Sequence, residues 1–137
     1  MLLYYVMRQY PNRGEYEINA NVASIVVIQT HDPLKANFIA LSKGIYFDGI
    51  EKGIDCSCCD DRWKPFTSRS RGHNMPMVEH VPLLTYLDDW ISSDMLQGCP
   101  SHTLAYIYYS DGEKEKITVG NVASGRLSYK YLQTTGG

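Results

Sequence analysis

The chain has 137 residues, 44% of them hydrophobic and 20% charged, enough apolar content for one real core and too much for an ordinary disordered chain. Thirteen Lys and Arg stand against fifteen Asp and Glu, a formal net charge of −2. No large positive field is offered to a phosphate array, so direct nucleic-acid binding and anionic-membrane binding are not expected.

Leu2 to Gln9, rich in Tyr and Val, reads as a first strand. The apolar run Met1–Met7 has no basic residue before it and ends at Arg8, so it is expected to be neither a span nor a leader. Pro11-Asn-Arg-Gly14 is a turn signal. Ala23–Gln29 is a second strand whose continuous Ile/Val run predicts burial on both faces. Asp32 is a predicted N-cap and Pro33 a first helical residue. Leu34, Phe38 and Leu41, with Ala36, Ile39 and Ala40, read as the apolar stripe of that helix. Lys43 and Gly44 end it. Ile45-Tyr-Phe47 is expected as a short third strand.

Residues 49 to 82 are rich in Gly and Pro and read as irregular. Pro82–Ser92 predicts a short helix with Leu83, Leu84, Leu87 and Ile91 on one side. Thr103–Tyr109 and Lys114–Val119 flank Ser110-Asp-Gly112, a hairpin signal. The tetrapeptide Asn-Val-Ala-Ser occurs at 21–24 and 121–124 without surrounding similarity, and is read as chance. The order implies a single α+β domain over 1–137: a small, mostly antiparallel β-sheet with one main helix packed on a face and a long irregular Cys-containing loop. Its parts are sheet and helix 2–48, loop region 49–102, hairpin 103–120 and polar tail 121–137. A parallel βαβ crossover over 25–47 is the alternative topology.

The densest chemistry is Asp55-Cys-Ser-Cys-Cys-Asp-Asp-Arg-Trp63. Cys56 and Cys59 form a C-x-x-C pair and Cys99 and His102 a C-x-x-H pair, a Cys₃His set that a structural zinc can use. Buried small side chains are the competing account. Arg62 and Lys64 would lower a thiol pKa, but Asp55, Asp60 and Asp61 oppose them. Arg62 and Trp63 together suit a ligand with phosphate and ring, the guanidinium on the anion and an aromatic for stacking. Asp61 and Tyr46 would line such a site, and Arg69 and Arg71 would add charge. The competing account makes Trp63 a core anchor and pairs Arg62 with a neighbouring aspartate. Asp88 and Asp89 read as a solvated helix face, and His31 as a capping neighbour. No P-loop, G-x-G-x-x-G, H-E-x-x-H, G-x-S-x-G or H-x-E pair is present.

Gly44-Ile-Tyr-Phe-Asp-Gly49 followed by Gly53-Ile-Asp-Cys-Ser-Cys-Cys-Asp-Asp-Arg-Trp63 resembles a family of small proteins of large tailed bacteriophages. The likeness extends to a strand and helix over 25–43 and to a Tyr-rich hairpin over 104–119. Asp60 stands where that family carries glycine. The resemblance implies a setting, the cytoplasm of an infected bacterium, and a role in host takeover or counter-defence. It carries no established activity.

The expectation is therefore a non-enzymatic binder of a small anionic, nucleotide-like ligand or of a host defence protein. A metal- or thiol-dependent enzyme that degrades a nucleotide signal is one alternative. A zinc-stabilised interaction module is another. A homo-oligomer with the 104–119 hairpin near its interface is also expected.

Overall fold

The computed structural model describes residues 1–12, 15–57, 61–92 and 103–124. Strands β1 (Leu3–Arg8) and β2 (Ile25–Thr30) lead into helix α1 (Pro33–Ser42). A two-residue ladder of β3 (Met77–Val78) and β4 (Val81–Pro82) precedes α2 (Leu83–Ser92). Strands β5 (Thr103–Tyr108) and β6 (Lys114–Thr118) and the short α3 (Val119–Ser124) follow. The main sheet runs β1-β2-β5-β6. Its two outer pairings are antiparallel, and the inner pair, β2 with β5, is parallel, with Ile25 beside Ala105 and Ile28 beside Tyr108. The fold is α+β, with a mixed sheet in which antiparallel pairing predominates.

Both faces of the sheet are covered. On one side α1 packs with Tyr5, Met7, Val26, Ile28, Tyr106 and Tyr108. On the other, α2 packs with Tyr4, Ile25, Val27, Leu104, Ile107 and Tyr109. Alternate residues of each strand point to opposite faces, which is why Ile25 to Ile28 are all 2% exposed or less. The continuous apolar run of β2 is thus a central strand between two layers. The expected single helical layer becomes two, because Leu83, Leu87 and Trp90 of α2 bury a second helix face.

Helix α1 starts and ends as its sequence dictates. The Asp32 carboxylate accepts the Lys35 N–H at 2.8 Å, and Pro33 opens the first turn. At the other end Gly44 takes φ +91°. The Gly44 N–H reaches the Leu41 carbonyl and the Ile45 N–H the Ala40 carbonyl, the paired bonds of a Schellman cap. That cap drives Ile45 into the core at 2% exposure, and residues 45–47 form no strand. The expected βαβ unit over 25–47 is absent for the same reason: the parallel partner of β2 is β5.

The face that α1 turns to the sheet also differs from expectation. Ala36 and Ala40 are fully buried, whereas Leu34, Phe38 and Leu41 are 48%, 72% and 50% exposed. Small residues let the helix axis approach the sheet closely, so the alanines win the inner face.

The outer edge of β1 is partly covered. Tyr4 and His73 exchange backbone bonds of 2.8 and 3.1 Å, and Gly72 lies where an added Cβ would stand 2.6 Å from the Leu3 Cβ. The outer edge of β6 carries Lys114, Glu115 and Lys116, charges that discourage edge pairing. The hairpin's tyrosines face inward: Tyr106, Tyr108 and Tyr109 are 4–6% exposed. The apolar hairpin surface expected at an interface is therefore not there. Among the described residues no helix is long and apolar enough to cross a membrane.

Candidate functional site

The loop that carries the densest polar sequence folds back on itself. Asp55 is buried, and its Oδ2 accepts the Arg62 N–H at 2.9 Å. The Arg62 side chain donates to Gln9 Oε1 at 2.6 Å and to the Glu15 carbonyl at 2.9 Å. Its Nε lies 3.6 Å from Asp55 Oδ1 and 4.0 Å from Glu17. The Tyr46 hydroxyl faces Glu17 and Asp55 at 3.2 and 3.3 Å, and Asp61 accepts the Ile50 N–H at 3.0 Å. Burial first, then the Glu17 and Asp55 carboxylates, push the Tyr46 phenol up to about 12, against a lowering by Arg62. A Cβ on Gly49 would stand 1.8 Å from the Asp55 carboxylate, so only glycine lets this loop close.

Three of the expected ligand residues, Tyr46, Asp61 and Arg62, thus bond within the protein. Trp63 is 1% exposed inside the α1-side core, so its ring offers no face to a ligand and acts as the loop's anchor. Arg69 and Arg71 are exposed on the next segment. Of the expected zinc ligands, Cys56 is half-buried and its N–H donates to Asn12 Oδ1 at 2.6 Å. Cys59, Cys99 and His102 lie outside the described residues. Among those described, no group of three or more His, Cys, Asp or Glu is arranged to hold an ion.

A cavity of about 330 Å³ lies elsewhere, at the carboxyl ends of the parallel strands β2 and β5. Open sheets leave a crevice there because both chains must turn away from the strand ends. Gln29, Thr30 and His31 leave β2 into one wall; Tyr108 and Ser110 leave β5 into another; Lys35, Ile39 and Lys43 of α1 and its cap close the third. Lys35, Ile39 and Lys43 recur every four residues, so one helix face brings two cations to one space.

No Asp or Glu lines the cavity among the described residues. Two carboxylates next to lining residues in sequence, Asp32 and Asp111, accept the Lys35 N–H at 2.8 Å and the Glu113 N–H at 2.9 Å. Lys43 Nζ sits 4.7 Å from the centroid of the Tyr108 ring. The Tyr108 hydroxyl donates to the Asn21 carbonyl, and Tyr106 does the same to Asn19 at 2.8 Å. Burial, then the neighbouring Tyr106, push the Tyr108 phenol up to about 12, so it stays a neutral donor and adds no negative charge. The arrangement attracts an anion of small-ligand size.

A protein-family model matches residues 2–126, the described core included. The chain belongs to the family described as a domain of unknown function, DUF7296. No curated protein and no solved structure matches it. From sequence alone Lys43 is only a helix-ending cation and His31 a capping neighbour. The missing signal was the β2–β5 pairing, which joins Lys43 to Tyr108 across nearly half of the chain.

Proposed function

We propose that this protein acts by binding, and that it holds a small anionic, ring-bearing ligand of nucleotide type in the cavity between α1 and the ends of β2 and β5. The observation that carries this reading is an acid-free lining with two lysines and a histidine around one aromatic wall. Lys35 and Lys43 meet the anionic groups, Ile39 and the Tyr108 side supply apolar contact, and Ser110 and Gln29 offer polar partners. In the bacteriophage setting that the sequence resemblance implies, such a binder withdraws a nucleotide-derived immune signal from the infected cell.

Calorimetric titration with ADP-ribose, a cyclic mononucleotide and a cyclic dinucleotide tests this directly. Saturable binding of at least one, lost in a Lys35→Ala/Lys43→Ala protein that keeps its melting temperature, is the expected result. Heat-denaturing the complex and recovering the nucleotide intact distinguishes binding from turnover. No binding by any of the three, or recovery of a cleaved product, overturns the reading.

A further inference from the structure

The outer face of α1 is an anomaly for a helix packed on a sheet. Leu34, Phe38 and Leu41 lie at i, i+4 and i+7, on one face opposite Ala36 and Ala40. All three point to solvent, Phe38 at 72% exposure. They form one continuous apolar ridge about 10 Å long, from seven residues of helical rise. A contiguous apolar ridge of this kind marks a surface that another molecule covers.

We infer that the occupant is a second copy of this chain, docked α1 against α1 in antiparallel fashion about a two-fold axis. The ridge is nearly palindromic, with a leucine four residues before Phe38 and another three residues after it. An isologous contact brings each surface patch onto itself. With the axis between Asn37 and Phe38, Leu34 of one copy lies beside Leu41 of the other and the two Phe38 rings meet at the centre. The ridge carries no charge of its own. Lys35, the one charged residue between Pro33 and Ser42, is given to the cavity wall instead. An antiparallel pair also sets opposite ends of the two helix dipoles side by side.

The flanks decide how strong the contact is. One helix face is smaller than the roughly 800 Å² per partner of a stable interface, so adjoining surface must contribute. The 66–71 segment adjoins α1, tied to it by two 2.8 Å bonds between Asn37 and Phe66. The two-fold axis places this segment of both copies on the same flank, with Arg69 and Arg71 in each. Like charges gather there, so association strengthens with salt. Both cavities fall on the opposite flank. The dimer stands whether or not the cavity holds a ligand.

Sedimentation velocity of the full chain from micromolar to millimolar concentration tests this. A reversible monomer–dimer equilibrium is expected, with the dissociation constant raised at least about tenfold, or 1.4 kcal/mol, by Phe38→Glu. Ile54→Glu, at another exposed apolar residue of 59% exposure, leaves it unchanged. Phe38 is already in solvent, so melting temperature and circular dichroism stay at wild-type values in that variant. Wild-type protein that remains monomeric to millimolar concentration overturns the inference, as does a dimer indifferent to Phe38→Glu. A monomer that instead pellets with phosphatidylglycerol vesicles, and loses this on Phe38→Glu, overturns it in favour of a lipid surface.

Discussion

The loop at 49–63 and the cavity at the ends of β2 and β5 invert what their sequences suggest. The loop packs acids, an arginine and a tryptophan into a few positions, yet among its described residues Asp55, Asp61 and Arg62 bond within the protein. The cavity draws single cations from distant places, and its lysines face space with no carboxylate on the lining. Density of polar residues marks a network when each group finds a partner, since an unpaired buried group costs about 1–3 kcal/mol. A site is recognised by charge left uncompensated beside a cavity.

The largest effect belongs to the loop. Arg62→Ala removes the cation beside a buried carboxylate and the donor to Gln9 and Glu15. Breaking a buried pair from one side costs about 3–5 kcal/mol, so urea denaturation should show a loss of that order. Ligand affinity of the folded fraction should not change. A variant with wild-type stability and abolished binding would return the site to the loop.

Gly49→Ala should follow. The new Cβ meets the Asp55 carboxylate and the Tyr46 ring, and overpacking of this kind costs about 1–3 kcal/mol or more. A crystal structure of this variant should show Asp55 displaced from Arg62. An unchanged melting temperature would mean that the loop is not closed as described.

Much of the fold was legible because its signals are local. Asp32-Pro33 and Lys43-Gly44 mark the ends of α1, and Ser110–Gly112 marks the hairpin. What failed depended on tertiary contact. Helical spacing finds an apolar face but cannot choose between Leu34-Phe38-Leu41 and Ala36-Ala40 when both are apolar; the distance to the sheet chooses. Ile45–Phe47 has strand composition, but the cap at Gly44 commits Ile45 to the core. Of the site, Arg62 and its aspartate partner could be read from neighbouring positions. Lys43 with Tyr108 could not, because nothing local announces that β2 pairs with β5.

Alkaline pH acts on both regions. Tyr46 in the network and Tyr108 at the cavity are each pushed up to about 12 from an ordinary value of 10. Below pH 10 both phenols are neutral in either state and their contribution to stability is fully present. Between about 10 and 12 the unfolded chain releases these protons and the folded chain holds them, so stability falls as pH rises. The urea midpoint should be flat from about pH 8 to 9.5 and then decline. Phenolate absorbance should show these tyrosines ionising late, together with unfolding. A midpoint independent of pH up to 11 would show that neither phenol is protected.

The smallest effect on stability, and the one that separates the regions most sharply, is expected from Lys43→Ala. The backbone at Lys43 has φ −96°, which alanine adopts freely, and its N–H keeps its bonds to Ala40 and Leu41. What is lost is the ammonium over the Tyr108 ring and a cation at a helix C-terminus, each worth about 0.3–1 kcal/mol. The fold therefore survives nearly unchanged. The anion loses a charge-assisted contact worth about 1.5–3 kcal/mol, so nucleotide affinity should drop at least about tenfold. Lys114→Ala is the control: this ammonium also lies over Tyr106 and Tyr108, at 4.9 and 5.9 Å, but donates to the Ala20 carbonyl and is not among the cavity's lining residues. If both variants bind as wild type does, the cavity is not the site. If both lose affinity equally, the field of the tyrosine face, rather than the cavity wall, attracts the ligand. Loss in Lys43→Ala alone places the anion between α1 and the end of β5, where the sequence by itself marks only the end of a helix.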